Sequence, residues 1–125
     1  MGTTMIRTLA RFAIWLPAAA GAFAACNDSR AKECKDMLTA TQGLDDSAPT
    51  SAAVGRMRQG LDPWGMQDKP LSEFASNLQT TLSILQSTLL LKEGPSPPDG
   101  TDDVVKNKLK AARTIRADIV KYCGP

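Results

Sequence analysis

Between Leu71 and Leu91 the apolar residues recur every three or four positions, and this run limits what the chain can become. At helical spacing Leu71, Phe74, Ala75, Leu78, Leu82, Leu85 and Leu89 fall on one stripe, the pattern of a helix that buries one face. Such a helix needs neighbours to cover its stripe, because helices in water are held mainly by packing rather than by propensity. The rest of the chain supplies those neighbours in the same form. Gly43 to Pro49, Gly60 to Pro70 and Gly94 to Gly100 are rich in turn residues and separate four segments, none of which alternates as a strand would.

The first segment, about Asp28 to Gln42, places Ala31, Cys34, Met37, Leu38 and Thr41 on one face, with Gly43 as a stop. The second, about Thr50 to Gln59, is short, with Thr50 as N-cap and Ala53, Val54 and Met57 to bury. The third starts at Leu71, with Pro70 at its first position or just before it. The fourth runs from about Asp102 to Tyr122 behind Thr101 as N-cap, with Asp102 and Asp103 in its first turn and Lys121 in its last, each favoured there by the helix dipole. Val105, Leu109, Ala112, Ile115 and Ile119 form its stripe. The expected fold is all-α, a small four-helix bundle of up-down order with a short second helix, over residues 26–125.

Residues 1–25 differ in kind. They hold Arg7 and Arg11, no acid, and an apolar run from Phe12 to Ala25. A charged start followed by an Ala-rich apolar stretch ending in small residues reads as a cleaved secretory signal. The run is shorter than the ~20 residues of a membrane-spanning helix, and Pro17 interrupts it. Two cleavage readings stay open. Ala22-Phe23-Ala24 is an A-x-A site, giving a soluble periplasmic or secreted product. Phe23-Ala24-Ala25-Cys26 instead resembles the bacterial lipobox, with Phe23 where Leu is common. The resemblance to bacterial lipoproteins implies that Cys26 becomes a lipidated N-terminus, acylated with palmitate-type chains. Asn27 lacks the Asp-type retention signal of enteric lipoproteins, so the resemblance implies the outer membrane.

Cysteine parity fits that resemblance. An exported chain meets an oxidising compartment, and assigning Cys26 to lipid leaves Cys34 and Cys123 as one pair. Both fall on apolar faces, and in an up-down bundle the start of the first helix meets the end of the fourth. One disulfide is expected; two buried free thiols are the alternative.

Composition removes several function classes. Fifteen Lys and Arg face thirteen Asp and Glu, and without Arg7 and Arg11 the two counts are equal. The basicity belongs to the leader, so no nucleic-acid partner is expected. There is no His, and only Glu33, Glu73 and Glu93 among the glutamates. Without a nucleophile beside a base, or clustered ligands, no enzyme activity, metal or cofactor is expected. Asp99-Gly100-Thr101-Asp102-Asp103 lacks the spacing of a calcium loop and is explained by helix capping.

Three surface features remain. Lys106, Lys110, Arg113 and Lys121 align opposite the stripe of the fourth helix, as a solvated face does; contact with anionic headgroups or an acidic partner is the other reading. The eighteen residues between Glu73 and Lys92 carry no charge. Away from its stripe this helix shows Ser72, Ser76, Gln79, Thr80, Ser83, Ser87, Ile84, Leu90 and Leu91. That face is either covered by the bundle or kept uncharged for a partner. Trp64, between Pro63 and Gly65, is read first as a plug over the open end of an aromatic-poor core, and second as an interface anchor. The functional expectation is an exported, lipid-anchored protein that binds another envelope protein through Ser76, Thr80, Ser83, Ser87 and Trp64. In size, anchor and architecture alone it is similar to secretion-system pilotins. The alternative is a soluble periplasmic carrier of an apolar small molecule in the bundle core.

Overall fold

The computed structural model describes residues 29–124, so the expected signal (1–25) and Cys26 lie outside the described residues. Every regular element among the described residues is helical. There are four α-helices: α1 over residues 29–40, α2 Ser51–Gln59, α3 Lys69–Glu93 and α4 Thr101–Cys123. Short 3-10 turns occupy Gln42–Asp45 and Pro63–Gly65.

Local chemistry sets the boundaries, and in places differently from expectation. Thr50 caps α2 as its sequence suggests, its hydroxyl accepting the Ala53 N–H at 3.1 Å. For α3 the cap is Asp68, whose Oδ2 accepts the Leu71 N–H at 3.2 Å; Pro70 therefore sits inside the first turn, where its missing N–H costs nothing. Thr101 is not an N-cap. Gly100 takes that position with φ at +84°, which glycine tolerates, and the Thr101 hydroxyl turns back to the Pro98 carbonyl. Nor does Gly43 stop α1, which gives way at Thr41 to the 3-10 turn containing Gly43.

Polar ties at both ends fix the antiparallel order. At one end the Ser51 N–H and hydroxyl donate to the Glu93 carboxylate at 2.9 and 2.6 Å, and Lys92 pairs with Asp102 at 3.2 Å. At the other, the Glu33 carboxylate accepts the Gln67 and Asp68 N–H groups at 2.6 and 3.2 Å. There Cys34 and Cys123 form a disulfide with their Cα atoms 5.9 Å apart. Between the two ends Leu71, Leu78, Leu82 and Leu85 of α3 meet Met37, Leu44, Val54 and Ile119, all fully buried. Phe74 and Ile115 lie half-buried against this core, and Ala31 is exposed rather than on the buried face.

Two arginines of α4 close the junction between α1 and its turn. Thr41, fully buried, donates its hydroxyl to the Met37 carbonyl at 2.8 Å and accepts from Arg116 Nε at 3.0 Å. Arg116 also donates to the Leu38 carbonyl at 3.1 Å and lies 3.5 Å from Asp45. Arg113 donates to the Leu44 and Asp46 carbonyls at 2.8 and 2.6 Å. The last carbonyls of a helix lack intrahelical partners, and the guanidinium fork supplies them.

The disulfide closes a loop with a sequence separation of 89. Cys34→Ser and Cys123→Ser should each destabilise the domain by about 4 kcal/mol in the chain-entropy treatment. The double variant should cost little more than either single one, since one bond is lost in all three. Chemical denaturation of the four proteins checks this, and additive losses would contradict a single shared bond.

The Glu93 tie titrates. The Ser51 hydroxyl, then the Ser51 N–H, hold its carboxyl below the ordinary value of 4.5 against slight desolvation. A carboxylate lowered on folding contributes stability above its unfolded value and loses that contribution as pH falls through the folded one. Wild type should therefore be more stable than Glu93→Gln at neutral pH, and the gap should close as pH drops below about 4.5. Thermal melts of both proteins across that range are the measurement.

Candidate protein interface

Helix α3 has three kinds of side. Toward α2 and the loop after it, Ser72 donates to the Pro63 carbonyl at 2.7 Å. Gln79 Nε2 donates to the Arg58 and Leu61 carbonyls at 3.3 Å each. Gly55 of α2 lets Gln86 approach closely, for a Cβ there would stand 2.7 Å from Gln86 Nε2. Toward α4, Phe74 packs at 6.0 Å between ring centroids on Tyr122. What remains is an outward face with Ser76, Asn77, Thr80, Ile84, Ser87 and Leu91 exposed, and Ser83 half-buried at its edge.

The length of α2 explains the split. Nine residues make about 13 Å of helix beside roughly 37 Å for the twenty-five of α3, so α2 covers one flank and no more. Ser72 and Gln79, expected on the outer face, are therefore half-buried and bonded to neighbouring carbonyls, whereas Ser76, Thr80 and Ser87 are exposed. A fully covered central helix does not describe α3.

The open face is less polar than its composition suggests. Thr80 donates its hydroxyl to the Ser76 carbonyl at 3.1 Å and Ser87 to the Ser83 carbonyl at 3.1 Å. Off that face, half-buried Thr81 and buried Thr88 do the same to the Asn77 and Ile84 carbonyls at 3.0 and 2.8 Å. Hydroxyls bonded within their own helix need less from water, so covering them loses less. Ile84, Leu90 and Leu91 are 42%, 58% and 54% exposed, which lengthens the weakly polar strip toward the end of α3.

Trp64 overturns the plug reading. Its side chain is 97% exposed, so it seals nothing. The loop beneath it is well fastened: Asp62 Oδ1 accepts the Gly65 N–H at 3.1 Å and Pro63 is buried. Phe74 and Tyr122 pack at this end of the core instead. Tyr122 had drawn no role from sequence beyond ending the fourth helix. Its hydroxyl donates to Asp68 Oδ2 at 2.9 Å, its carbonyl accepts from Arg30 at 2.8 Å, and the Arg30 guanidinium lies 4.3 Å above its ring. Burial, then Asp68, push its phenol pKa up, with Arg30 opposing. Adjacency to Cys123 was the available signal.

The basic face of α4 is not one patch. Lys106, Lys110 and Arg113 border an open groove of about 580 Å³ with Lys92 and Asp102, but Arg113 is engaged by the turn after α1 and Lys121 lies two turns further on. Among the described residues no three His, Cys, Asp or Glu side chains gather as metal ligands do. No helix among them is long and apolar enough to cross a membrane.

The two flanks of α3 should respond differently to mutation. Thr80→Lys should leave stability within about 0.5 kcal/mol of wild type, as at an open surface. Gln79→Ala should lose about 1 kcal/mol by freeing the carbonyls at the end of α2. Denaturant midpoints of the two variants check the assignment of sides.

The chain matches no protein-family model, no curated protein and no solved structure.

Proposed function

We propose that residues 26–125 act in the bacterial envelope as an exported, lipid-anchored helical protein that works by binding another protein and catalyses no reaction. The observation that carries this reading is the outward face of α3, uncharged from Phe74 to Leu91. It is open along Ser76, Thr80, Ser87 and Leu91, with Ser83 half-buried at its edge, and Trp64 is exposed on the loop before α3. A solvated helix of this length ordinarily carries Lys and Glu there, and charge depletion is the compositional mark of interface cores.

The anchor rests on the leader and its lipobox-like Phe23-Ala24-Ala25-Cys26. The Cys34–Cys123 bond supports it, since it accounts for two of the three cysteines and leaves Cys26 for another fate. By resemblance to lipoproteins the location is the outer membrane, facing the periplasm. An accessory role of the pilotin kind is analogy in size and architecture. The carrier of an apolar ligand draws less support, because the groove on α4 is open and lined by Lys92, Lys106 and Lys110.

The test uses the anchored protein in its own envelope. Cys26→Ser should release it from membranes and abolish incorporation of a labelled fatty acid; unchanged membrane association or an N-terminus at Ala25 rejects the anchor. Separately, Thr80→Lys and Ser87→Lys should fold normally yet reduce recovery of the co-purifying envelope protein about tenfold or more, the effect of ~1.4 kcal/mol at an interface. Full recovery with both lysines in place rejects the α3 face as the contact.

A further inference from the structure

The end of the molecule that carries Trp64 combines three features that the α3 face does not explain. The first is a tryptophan held outward by design of its loop. Trp64 is 97% exposed although its neighbours are fixed, by Ser72 on the Pro63 carbonyl at 2.7 Å and by Asp62 on the Gly65 N–H at 3.1 Å. A large indole presented on a rigid support is a side chain waiting for a surface with an apolar interior and a wet rim.

The second is where the chain enters. Glu33 of α1 accepts the Gln67 N–H at 2.6 Å, three residues past Trp64. Glu33 is one turn, about 6 Å, beyond residue 29. The links from 26 to 29, even fully extended, reach at most about 11 Å. A lipid on Cys26 therefore cannot lie far from this end of the molecule, whatever path the chain takes.

The third is how charge is layered. In α1 Lys32 lies at the tip with Asp36 one turn inward; in α3 Lys69 lies at the tip with Glu73 one turn inward; in α4 Lys121 is nearer the tip than Asp118. All six are exposed, and none of these pairs is within ion-pair distance. The acids at the tip, Glu33, Asp62 and Asp68, stay charged but are turned to the backbone: Glu33 accepts the Gln67 and Asp68 N–H groups, Asp62 the Gly65 N–H, and Asp68 caps α3. The exposed lysines of the outermost layer, by contrast, extend from the ends of three helices toward whatever lies below.

We infer that this end, formed by the first turn of α1, the loop bearing Trp64 and the last turn of α4, rests on the bilayer, with Trp64 in the headgroup region and Lys32, Lys69 and Lys121 on lipid phosphates. Aromatic rings partition to that depth, and lysine stems reach outward to anionic headgroups. The inference rests on the lipid-anchored reading of Cys26 and adds to it an orientation: the bundle stands on its disulfide end, and the outward face of α3 rises from the membrane toward the partner.

The full chain is expressed with its leader in a Trp15→Phe background, which makes Trp64 the one indole. The processed protein is then reconstituted in phosphatidylcholine–phosphatidylglycerol vesicles. Flotation reports the anchor, and Trp64 emission reports the inference. The expected result is a blue shift, protection from acrylamide and quenching by lipids brominated near the headgroup. With Lys32→Glu, Lys69→Glu and Lys121→Glu combined, these signals should fall on anionic vesicles. Protein that floats while Trp64 keeps water-like emission, unquenched by bromolipid, overturns the inference, leaves the anchor standing and returns Trp64 to the α3 face as a protein anchor. Protein that fails to float overturns both. Quenching that the triple variant leaves unchanged overturns the assignment of the lysines.

Discussion

Burial of one leucine stripe organises the molecule. Leu71, Leu78, Leu82 and Leu85 are fully covered, and no other helix among the described residues carries an apolar row of that length. Helices α2 and α4 are placed by the parts of that row they cover, α2 on one flank and α4 on the other. Because α2 is nine residues against twenty-five, coverage stops at the flank and one side of α3 is left to solvent. The candidate interface is thus a by-product of unequal helix lengths as much as of sequence. Its lack of charge is what distinguishes it from an ordinary solvated face.

Much of this was legible from the amino acids. The core rows of α3 and α4, the short second helix and the pairing of Cys34 with Cys123 follow from helical periodicity and from the geometry of an up-down chain. The boundaries that were misplaced share one cause. Thr101 and Gly43 were assigned roles from local preference, whereas a left-handed Gly100 and a 3-10 turn set the geometry there. Periodicity finds faces, but it does not say which neighbour covers a face. Ser72 and Gln79 differ from Ser76 and Thr80 only in facing carbonyls of residues 58–63, a tertiary fact. The role of Arg116 is tertiary for the same reason: its three partners lie at the end of α1 and in the turn after it, more than seventy residues earlier in the chain.

The two ends of the bundle differ in chemistry. The end where α3 passes to α4 is held by exposed ion pairing and by a carboxylate on Ser51, interactions of modest value in water. The opposite end concentrates the disulfide, the Glu33 cap and the contacts among Arg30, Tyr122 and Asp68. Its polar groups bond to one another and to the backbone, so they hold the start of α1, the cap of α3 and the last turn of α4 together.

The ties that dock α1 all span long stretches of chain. Arg30 meets a carbonyl 92 positions away, Arg116 reaches back 75 to Thr41, and even Glu33 bonds across 34. By contrast, α2, α3 and α4 follow one another as hairpins joined by short connections. Closing long loops costs more entropy than closing short ones, so the contacts that dock α1 carry a larger closure cost than those of the α2–α3–α4 hairpins. The Cys34–Cys123 bond, with a sequence separation of 89, meets that cost covalently, so α1 is the element whose docking depends most on the oxidised state of the chain.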